Sequence, residues 1–213
     1  MPSGKRKKIS PSDPRRPIPW GIFFTYGGIS CIALSFVIAL ATFWPVIREE
    51  LGYSITNNIP VLHARYIFPV DRKFGIVIPK IGANAVIVPD VNPYDSRQYQ
   101  VALTRGVAHA KGTAKPGSQG NVFLFSHSSV NFYEATRYNS VFYLLSKLED
   151  NDTILLYFDD AKYTYRVTRK NTVSPKAVEY LTNKGNGKET VTLMTCWPPG
   201  TTYKRLIVTA ERI

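Results

Sequence analysis

The chain has 213 residues, of which 44% are apolar, and a formal net charge of +12. This length and apolar content fit one globular domain with an appendage. The many aromatic residues, prolines and glycines favour strands and turns over a helical bundle. The basic excess would suit an anionic surface, but no helix-turn-helix, RNA-recognition or zinc-finger pattern supports nucleic-acid binding.

The N-terminal part predicts a basic tail followed by a membrane anchor. Residues 1–17 combine basic residues with prolines and serines, which predicts a disordered tail. The uncharged run from Ile18 to Ile47 exceeds the roughly 20 apolar residues that span a bilayer as a helix, and Trp20 and Trp44 stand near its ends. A cleaved signal peptide is the alternative, but its apolar core would be only about 7–15 residues long.

The distribution of charge around this run predicts its orientation. The first 20 residues hold six basic residues and one acidic residue, all before the apolar core of the run. Because basic residues stay on the cytoplasmic side, we expect the tail inside the cell and everything after the 18–47 anchor outside. The protein is then a single-pass protein of the cell membrane.

Residues 48–72 are a predicted spacer, and the pattern from 73 to 213 is that of short strands. Seven β-branched and aromatic runs, broken by proline and glycine, predict strands at 74–79, 83–89, 121–125, 152–158, 162–168, 190–195 and 205–210. Asp159 and Asp160 separate two of them and predict a hairpin. Helical patterns are limited to 140–148, 175–181 and a turn at 99–103. The predicted fold class is therefore mostly β, with a closed or nearly closed barrel.

Cys196 is the only cysteine outside the predicted anchor, since Cys31 lies within it. The exported part cannot form an internal disulfide, and a free thiol outside the cell is buried, paired with another chain, or used. Cys196 ends a predicted strand just before Pro198 and Pro199, which cannot continue a ladder. A thiol there can be both exposed and rigid, although a buried structural cysteine is the alternative.

Arg205 and His127 are the candidate partners of this thiol. The turn between Cys196 and Arg205 should bring the strand of Arg205 back beside the cysteine. A guanidinium there would favour the thiolate and donate hydrogen bonds to an oxyanion. Lys204 competes for this position, but successive side chains alternate, and the arginine fork donates two fixed bonds. His127 ends the strand 121–125 and could transfer protons.

Other uses of these residues remain open from the sequence. Arg205 could be a solvated surface charge, and His127 a hydrogen-bonded loop histidine. His109, in a predicted connecting loop, and His63 are weaker candidates for a base. One exported cysteine and three histidines lack the short spacing of a zinc site. The acidic residues at 149–152 and 159–160 have the pattern of ordinary turns, so no metal is assigned.

Three blocks of the chain resemble the sortase family. Thr192-Leu-Met-Thr-Cys196 followed by Arg205 resembles its signature, the segment 106–121 leading to His127 resembles the approach to its catalytic histidine, and 78–81 resembles its opening strands. The resemblance covers about residues 73–213. It implies a closed eight-stranded β-barrel and a cysteine transpeptidase that needs no organic cofactor.

The resemblance also implies roles for the three residues. Cys196 would attack the Thr–Gly carbonyl of a Leu-Pro-x-Thr-Gly-like sorting signal on a surface protein, with His127 as acid and base and Arg205 as oxyanion stabiliser. An amine on a cell-wall precursor or a pilin would accept the acyl group. Ser126 departs from the glycine that usually precedes this histidine.

The absence from this sequence of an Asp-Pro-aromatic lid motif and of a second apolar span favours a housekeeping-like subclass. Two other functions are compatible with the sequence. A thiol protease would release the peptide to water, and a non-enzymatic barrel would bind wall polymer or another surface protein.

Overall fold

The computed structural model describes residues 20–58, 67–128, 141–182 and 187–213. The chain forms two compact units, 1–42 and 43–213. One long helix, α1, runs from Trp20 to Asn58. Its segment Phe23–Trp44 is long and apolar enough to cross a membrane. The helix continues past Ile47, where the predicted anchor ends.

Two hydroxyl groups in the apolar part of α1 donate to the preceding turn of the helix. Thr25 Oγ1 donates to the carbonyl of Gly21 at 3.1 Å, and Ser35 Oγ donates to the carbonyl of Cys31 at 2.8 Å. Such bonds to the preceding turn remove the cost of placing a hydroxyl in hydrocarbon. The composition of this segment therefore supports membrane anchoring.

Eight strands form the second unit. The strands are β1 Phe74–Ile78, β2 Ala83–Val91, β3 Val107–Ala110, β4 Gly120–Phe125, β5 Thr153–Phe158, β6 Ala161–Val173, β7 Glu189–Trp197 and β8 Lys204–Arg212. They close into a barrel in the order β1-β2-β3-β4-β7-β8-β6-β5. Two pairs, β2–β3 and β4–β7, are parallel, and the remaining pairs are antiparallel. The predicted closed β-barrel is confirmed.

The hairpin between β5 and β6 follows its sequence signal. Phe158 pairs with Ala161, and both intervening aspartates have positive φ angles, 46° at Asp159 and 66° at Asp160. Positive φ at both central residues is the geometry of a type I′ turn, whose twist matches that of the flanking strands. Aspartate tolerates this conformation better than most residues because its side chain is short and polar.

Strand β3 corrects the sequence interpretation of its segment. His109 was expected in a connecting loop, but it lies in β3, whose four residues are all buried. His109 pairs with Leu124 of β4. Alanine and histidine carry little strand propensity, so the segment lacked the β-branched pattern that revealed the other strands.

The short helices are shifted from their predicted positions. Helix α2, Ser96–Leu103, is longer than the predicted turn, and Asp95 caps it by accepting hydrogen bonds from two backbone amides. A 3₁₀ helix at Tyr143–Lys147 occupies part of the predicted 140–148 helix, whose first residue lies outside the described ranges. Helix α3, Glu179–Thr182, overlaps the end of the predicted 175–181 segment.

Two apolar clusters lie on opposite faces of the sheet. The cluster inside the barrel includes Leu124 of β4 and Leu193 of β7. The second cluster includes Phe125 of β4, with Met194 of β7 and Tyr99 of α2 packed against it. Because neighbouring side chains of a strand point to opposite faces, the second cluster covers the outer surface of β4 and β7. This outer surface leads to the candidate site.

Candidate active site

Cys196 and Arg205 are directly opposite each other in the β7–β8 ladder. Residues opposed in an antiparallel pair have their side chains on the same face, with Cβ atoms about 4.5–5.5 Å apart. Lys204 is opposite Trp197, which packs against the interior cluster. Register therefore puts Arg205, and not Lys204, on the face of the thiol.

The chain that leads to His127 runs beside the end of β7 that carries Cys196. The parallel β4–β7 ladder ends with Phe125 beside Met194, and the Ser126 amide continues it by donating to the Met194 carbonyl at 3.2 Å. His127 is two residues beyond Phe125, as Cys196 is two residues beyond Met194. The three candidates thus occupy neighbouring positions at the ends of β4 and β7 and the start of β8.

All three side chains are partly exposed. Met194 belongs to the outer cluster, so Cys196, two residues further on, faces the outside of the barrel as well. The thiol is therefore not sealed among the interior residues. Part of the residue is exposed on the outer surface of the sheet.

The Arg205 guanidinium is anchored by the β7–β8 loop. Its Nη1 donates to the carbonyls of Thr202 at 3.2 Å and Lys204 at 3.1 Å. Among the described residues, no hydrogen bond involves its other two nitrogens. Since an arginine has five N–H donors in a fixed fork, this arrangement holds the group in place and leaves donors for a ligand.

The connection between β7 and β8 is a compact turn. The Trp197–Pro198 peptide bond is cis, and the backbone amide and hydroxyl of Thr201 both donate to the Pro198 carbonyl. Gly200 has a φ of 78°, a conformation that glycine adopts without strain. This turn returns the chain so that Arg205 meets Cys196.

A hydroxyl of β7 fixes the strand end that carries His127. Thr195 Oγ1 donates to the carbonyl of Ser126 at 2.9 Å, and the Thr195 side chain is buried. Sequence reasoning treated Thr195 only as part of a motif. The sequence feature that indicates a structural role for Thr195 is its position on the apolar face of a strand, because a buried hydroxyl needs a hydrogen-bond partner.

Ser126 and Ser128 flank His127 and are buried, at 5% and 1% exposure. Within the described part of the chain, neither hydroxyl has a hydrogen-bond partner. Buried hydroxyls are usually satisfied, so these two retain hydrogen-bonding capacity beside the candidate base.

His109 is a structural histidine and lies apart from the three candidates. It has no exposed surface, and its Nε2 lies 2.9 Å from the Ala114 carbonyl, to which it donates. Its Nδ1 accepts from the Asp90 amide at 3.4 Å. These bonds fit the neutral ring, and burial lowers the pKa of His109 below its ordinary value, against a smaller opposing effect of the Ala114 carbonyl. His63 lies outside the described residues.

Lysine side chains form ion pairs with the acidic residues of the predicted turns at 149–152 and 159–160. Lys80 Nζ lies 2.7 Å from a Glu149 oxygen and 2.9 Å from an Asp152 oxygen, and Lys73 Nζ lies 2.7 Å from an Asp160 oxygen. Among the described residues, no group of three or more His, Cys, Asp or Glu side chains could hold a metal ion. These carboxylates stabilise loops at the barrel surface.

Fold and site together have the features of a cysteine enzyme: an accessible thiol beside a guanidinium, on a closed barrel of eight strands. A family model described as a sortase domain matches residues 76–213. The chain therefore belongs to the sortase family, whose members are cysteine transpeptidases that act on proteins carrying sorting signals, pilins among them.

Solved structures with this fold are also sortases. Sortase C-1 from Actinomyces oris is 28% identical, with 79% of this chain and 98% of that chain covered and a TM-score of 0.56. The Sortase D5 transpeptidase from Clostridium perfringens is 26% identical, with 77% and 88% covered and a TM-score of 0.54. Sortase A from Corynebacterium diphtheriae, in a lid-mutant form, is 24% identical, with 71% and 75% covered and a TM-score of 0.56, and it supports the fold alone. A comparison with curated proteins gave no significant match.

Proposed function

We propose that Cys196, His127 and Arg205 carry the transpeptidation of this sortase. The observation that supports this most is the register that sets Cys196 directly opposite Arg205. The β4–β7 ladder adds support, because it ends two residues before both His127 and Cys196. The partial exposure of all three side chains on the outer face supports access for a peptide. Family membership favours this enzyme over the non-enzymatic barrel.

The reaction has two steps on the same atoms. The Cys196 thiolate attacks the threonine carbonyl of a Leu-Pro-x-Thr-Gly-like sorting signal and forms a C–S bond, and the negative oxygen accepts hydrogen bonds from Arg205. The C–N bond to glycine breaks as His127 protonates the leaving amine. An acceptor amine on a cell-wall precursor or a pilin then loses a proton to His127 and attacks the thioester, which releases the thiolate.

The proposed placement in the cell follows from the anchor. The basic tail, 1–17, lies in the cytoplasm, the segment 18–47 crosses the membrane, and a spacer, 48–72, leads to the catalytic domain, 73–213, outside. The length and composition of Phe23–Trp44 support the span, and the charge before it supports the orientation. Protease added to intact cells should digest the domain and spare a tag at the N-terminus, and the reverse pattern would contradict this orientation.

The nucleophile is tested by trapping the acyl-enzyme. We expect the full chain to gain the mass of the acyl fragment when it meets a Leu-Pro-x-Thr-Gly peptide without an acceptor. Cys196→Ala should gain none, because no other described residue at the site offers a thiol. Cys31→Ser is the matched control and should keep the adduct. An adduct on Cys196→Ala would refute the assignment.

The role of Arg205 is tested by its charge-conserving replacement. Arg205→Lys keeps a cation but loses the fork that is anchored on Thr202, so the oxyanion loses a fixed donor. We expect kcat to fall about 10²-fold, the usual cost of an oxyanion donor, with a smaller change in peptide binding. Lys204→Arg, on the other face, should leave kcat unchanged. Equal losses of kcat and peptide affinity in Arg205→Lys would argue against this role.

Transfer and hydrolysis share the first step and differ in the acceptor. Product analysis with and without an added amine separates them. A thiol protease would yield the free acid under both conditions.

A further inference from the structure

Asn121 joins three parts of the barrel through one buried side chain. Asn121 is 3% exposed. Its Oδ1 accepts hydrogen bonds from Thr190 Oγ1 at 3.1 Å and Thr192 Oγ1 at 2.9 Å, both on β7. Its Nδ2 donates to the backbone carbonyl of Tyr180 in α3 at 3.3 Å. The amide therefore ties the start of β4 to β7 and to α3.

Helix α3 packs on the outer face of the barrel, the face toward which Cys196 and Arg205 point. Tyr180 and Leu181 pack against the outer cluster that contains Phe125 and Met194. Phe125 and Met194 are each two residues before His127 and Cys196 and face the same side. A helix of four residues is not stable alone, so its position depends on the contacts that hold it.

We propose that Asn121 is a positioning residue for the peptide substrate. By holding the Tyr180 carbonyl, it fixes α3 as a wall of the groove that receives the sorting signal, an inference that rests on the proposed function. Asn121 lies near the start of β4, whereas His127 is two residues beyond the end of this strand. Six residues of extended chain span about 20 Å, so Asn121 does not touch the reacting atoms. Its effect reaches the substrate through α3.

Asn121→Asp removes the amide donor to Tyr180 and also buries a negative charge at this site. The carboxylate keeps an acceptor for both threonine hydroxyls, but it places an oxygen against the Tyr180 carbonyl. We expect KM for a Leu-Pro-x-Thr-Gly peptide to rise about tenfold, with kcat changed less than about twofold, because a lost hydrogen bond to a binding wall affects binding before chemistry. Leu181, whose amide donates to the Val178 carbonyl, should exchange its amide hydrogen faster.

Thr192→Val is the matched control. It removes one of the hydrogen bonds to Asn121 Oδ1 and leaves the bond to Tyr180 in place. KM and the exchange of the Leu181 amide should stay as in the unchanged chain, even if the fold loses some stability.

A second variant keeps the inference testable if Asn121→Asp does not fold. The triple change Asn121→Leu, Thr190→Val and Thr192→Val replaces the three hydrogen-bonding side chains with apolar groups of similar shape, which costs less stability than leaving the two hydroxyls without their acceptor. It also removes the bond to Tyr180. The rise in KM should therefore recur.

The outcomes separate this inference from the proposed function. A selective rise in KM, absent in Thr192→Val, supports the role of Asn121. An unchanged KM with faster exchange at Leu181, or equal rises in Asn121→Asp and Thr192→Val, would overturn it. If the unchanged chain forms no acyl adduct at saturating peptide, the proposed function itself fails, whereas an adduct with an unchanged KM in the variant refutes only the role of Asn121.

Discussion

His109 is the residue whose protonation the fold opposes most clearly. It is fully buried inside the barrel, its ring lies 5.5 Å from that of Phe74, and its Nε2–H is committed to the Ala114 carbonyl. Burial lowers its pKa in the folded state, whereas the unfolded chain keeps the ordinary value of about 6.5. The unfolded state therefore binds the proton more readily.

This difference predicts an acid-sensitive fold. The contribution of His109 to stability is fully present above about pH 6.5 and is lost as the pH falls below it, with a slope of at most about 1.4 kcal/mol per pH unit. Urea unfolding between pH 7 and pH 5 should show this slope, and His109→Gln should remove it. A slope that persists in His109→Gln and disappears in His127→Gln would contradict the assignment.

The position of Arg205 opposite Cys196 was predictable from the sequence without any family resemblance. Nine positions and a proline-glycine turn separate them, so the returning strand must pass the cysteine. His127 is about 70 positions from Cys196, and nothing local indicates a parallel pairing of β4 with β7. The residues alone made His127 a candidate partner of the thiol, and the resemblance to a family implied its catalytic role.

At the scale of elements, Glu189, the first residue of β7, links three other segments at this end of the barrel. Tyr165 Oη of β6 donates to its carboxylate at 2.5 Å, and the Gly117 amide donates at 2.9 Å. Arg212 of β8 lies 3.8 Å from the other oxygen and stacks over the Tyr163 ring. Burial, and then the bond to Glu189, raise the pKa of Tyr165 far above its ordinary value, so its hydroxyl stays a donor.

Replacement of this carboxylate should weaken the fold without changing the chemistry. Glu189→Gln loses a charge-assisted acceptor for Tyr165 and Gly117, so we expect the free energy of unfolding to fall by about 1–2 kcal/mol in urea titration. Because Glu189 is seven positions from Cys196 along β7, about 23 Å, kcat should not change.

Glu149→Gln is the control for a surface carboxylate. Glu149 also binds a basic side chain, Lys80, but it is 76% exposed. Its replacement should change stability little, since exposed ion pairs contribute little. Equal losses in the two variants would show that Glu189 acts only as a surface charge.

Elements were predictable where their residues carried a strong pattern. Seven of the eight strands have β-branched or aromatic runs, and β3 escaped because it has one β-branched residue, Val107, and no phenylalanine, tyrosine or tryptophan. Helix α1 extends through polar residues after Ile47, where hydropathy no longer identifies a span. Its end at Asn58 depends on backbone hydrogen bonding that composition does not report.

At the scale of the whole molecule, the folded barrel unit includes residues that precede β1. Asn84 Nδ2 donates to the Phe68 carbonyl at 2.7 Å, and the Val70 amide donates to Asn84 Oδ1 at 2.9 Å. Residues 68–70 thus lie along β2 as part of the folded unit. The predicted domain start at residue 73 omits this segment.

A chain that begins at residue 67 should therefore be more stable than one that begins at residue 73. We expect the free energy of unfolding of residues 67–213 to be about 1–2 kcal/mol higher than that of residues 73–213, because the shorter chain lacks the two hydrogen bonds to Asn84. Asn84→Ala should weaken the longer chain and leave the shorter one nearly unchanged. Equal effects of Asn84→Ala in both chains would mean that the 68–70 segment contributes nothing.

The overall architecture was predictable in class but not in topology. Short strands and few helices indicated a barrel, because such strands need a shared core and no free edges. The number of strands came from the resemblance. The two parallel pairings join segments distant in the chain, which periodicity cannot reveal.

The position of β7 between β4 and β8 has a consequence for damaged or half-folded molecules. Separation of β4 takes His127 away and separation of β8 takes Arg205 away, so either event leaves the sulfhydryl with an incomplete set of partners. Under the proposed roles, such a molecule loses the groups that make its sulfur reactive toward amides. Misfolding then yields an inactive enzyme, not an indiscriminate one.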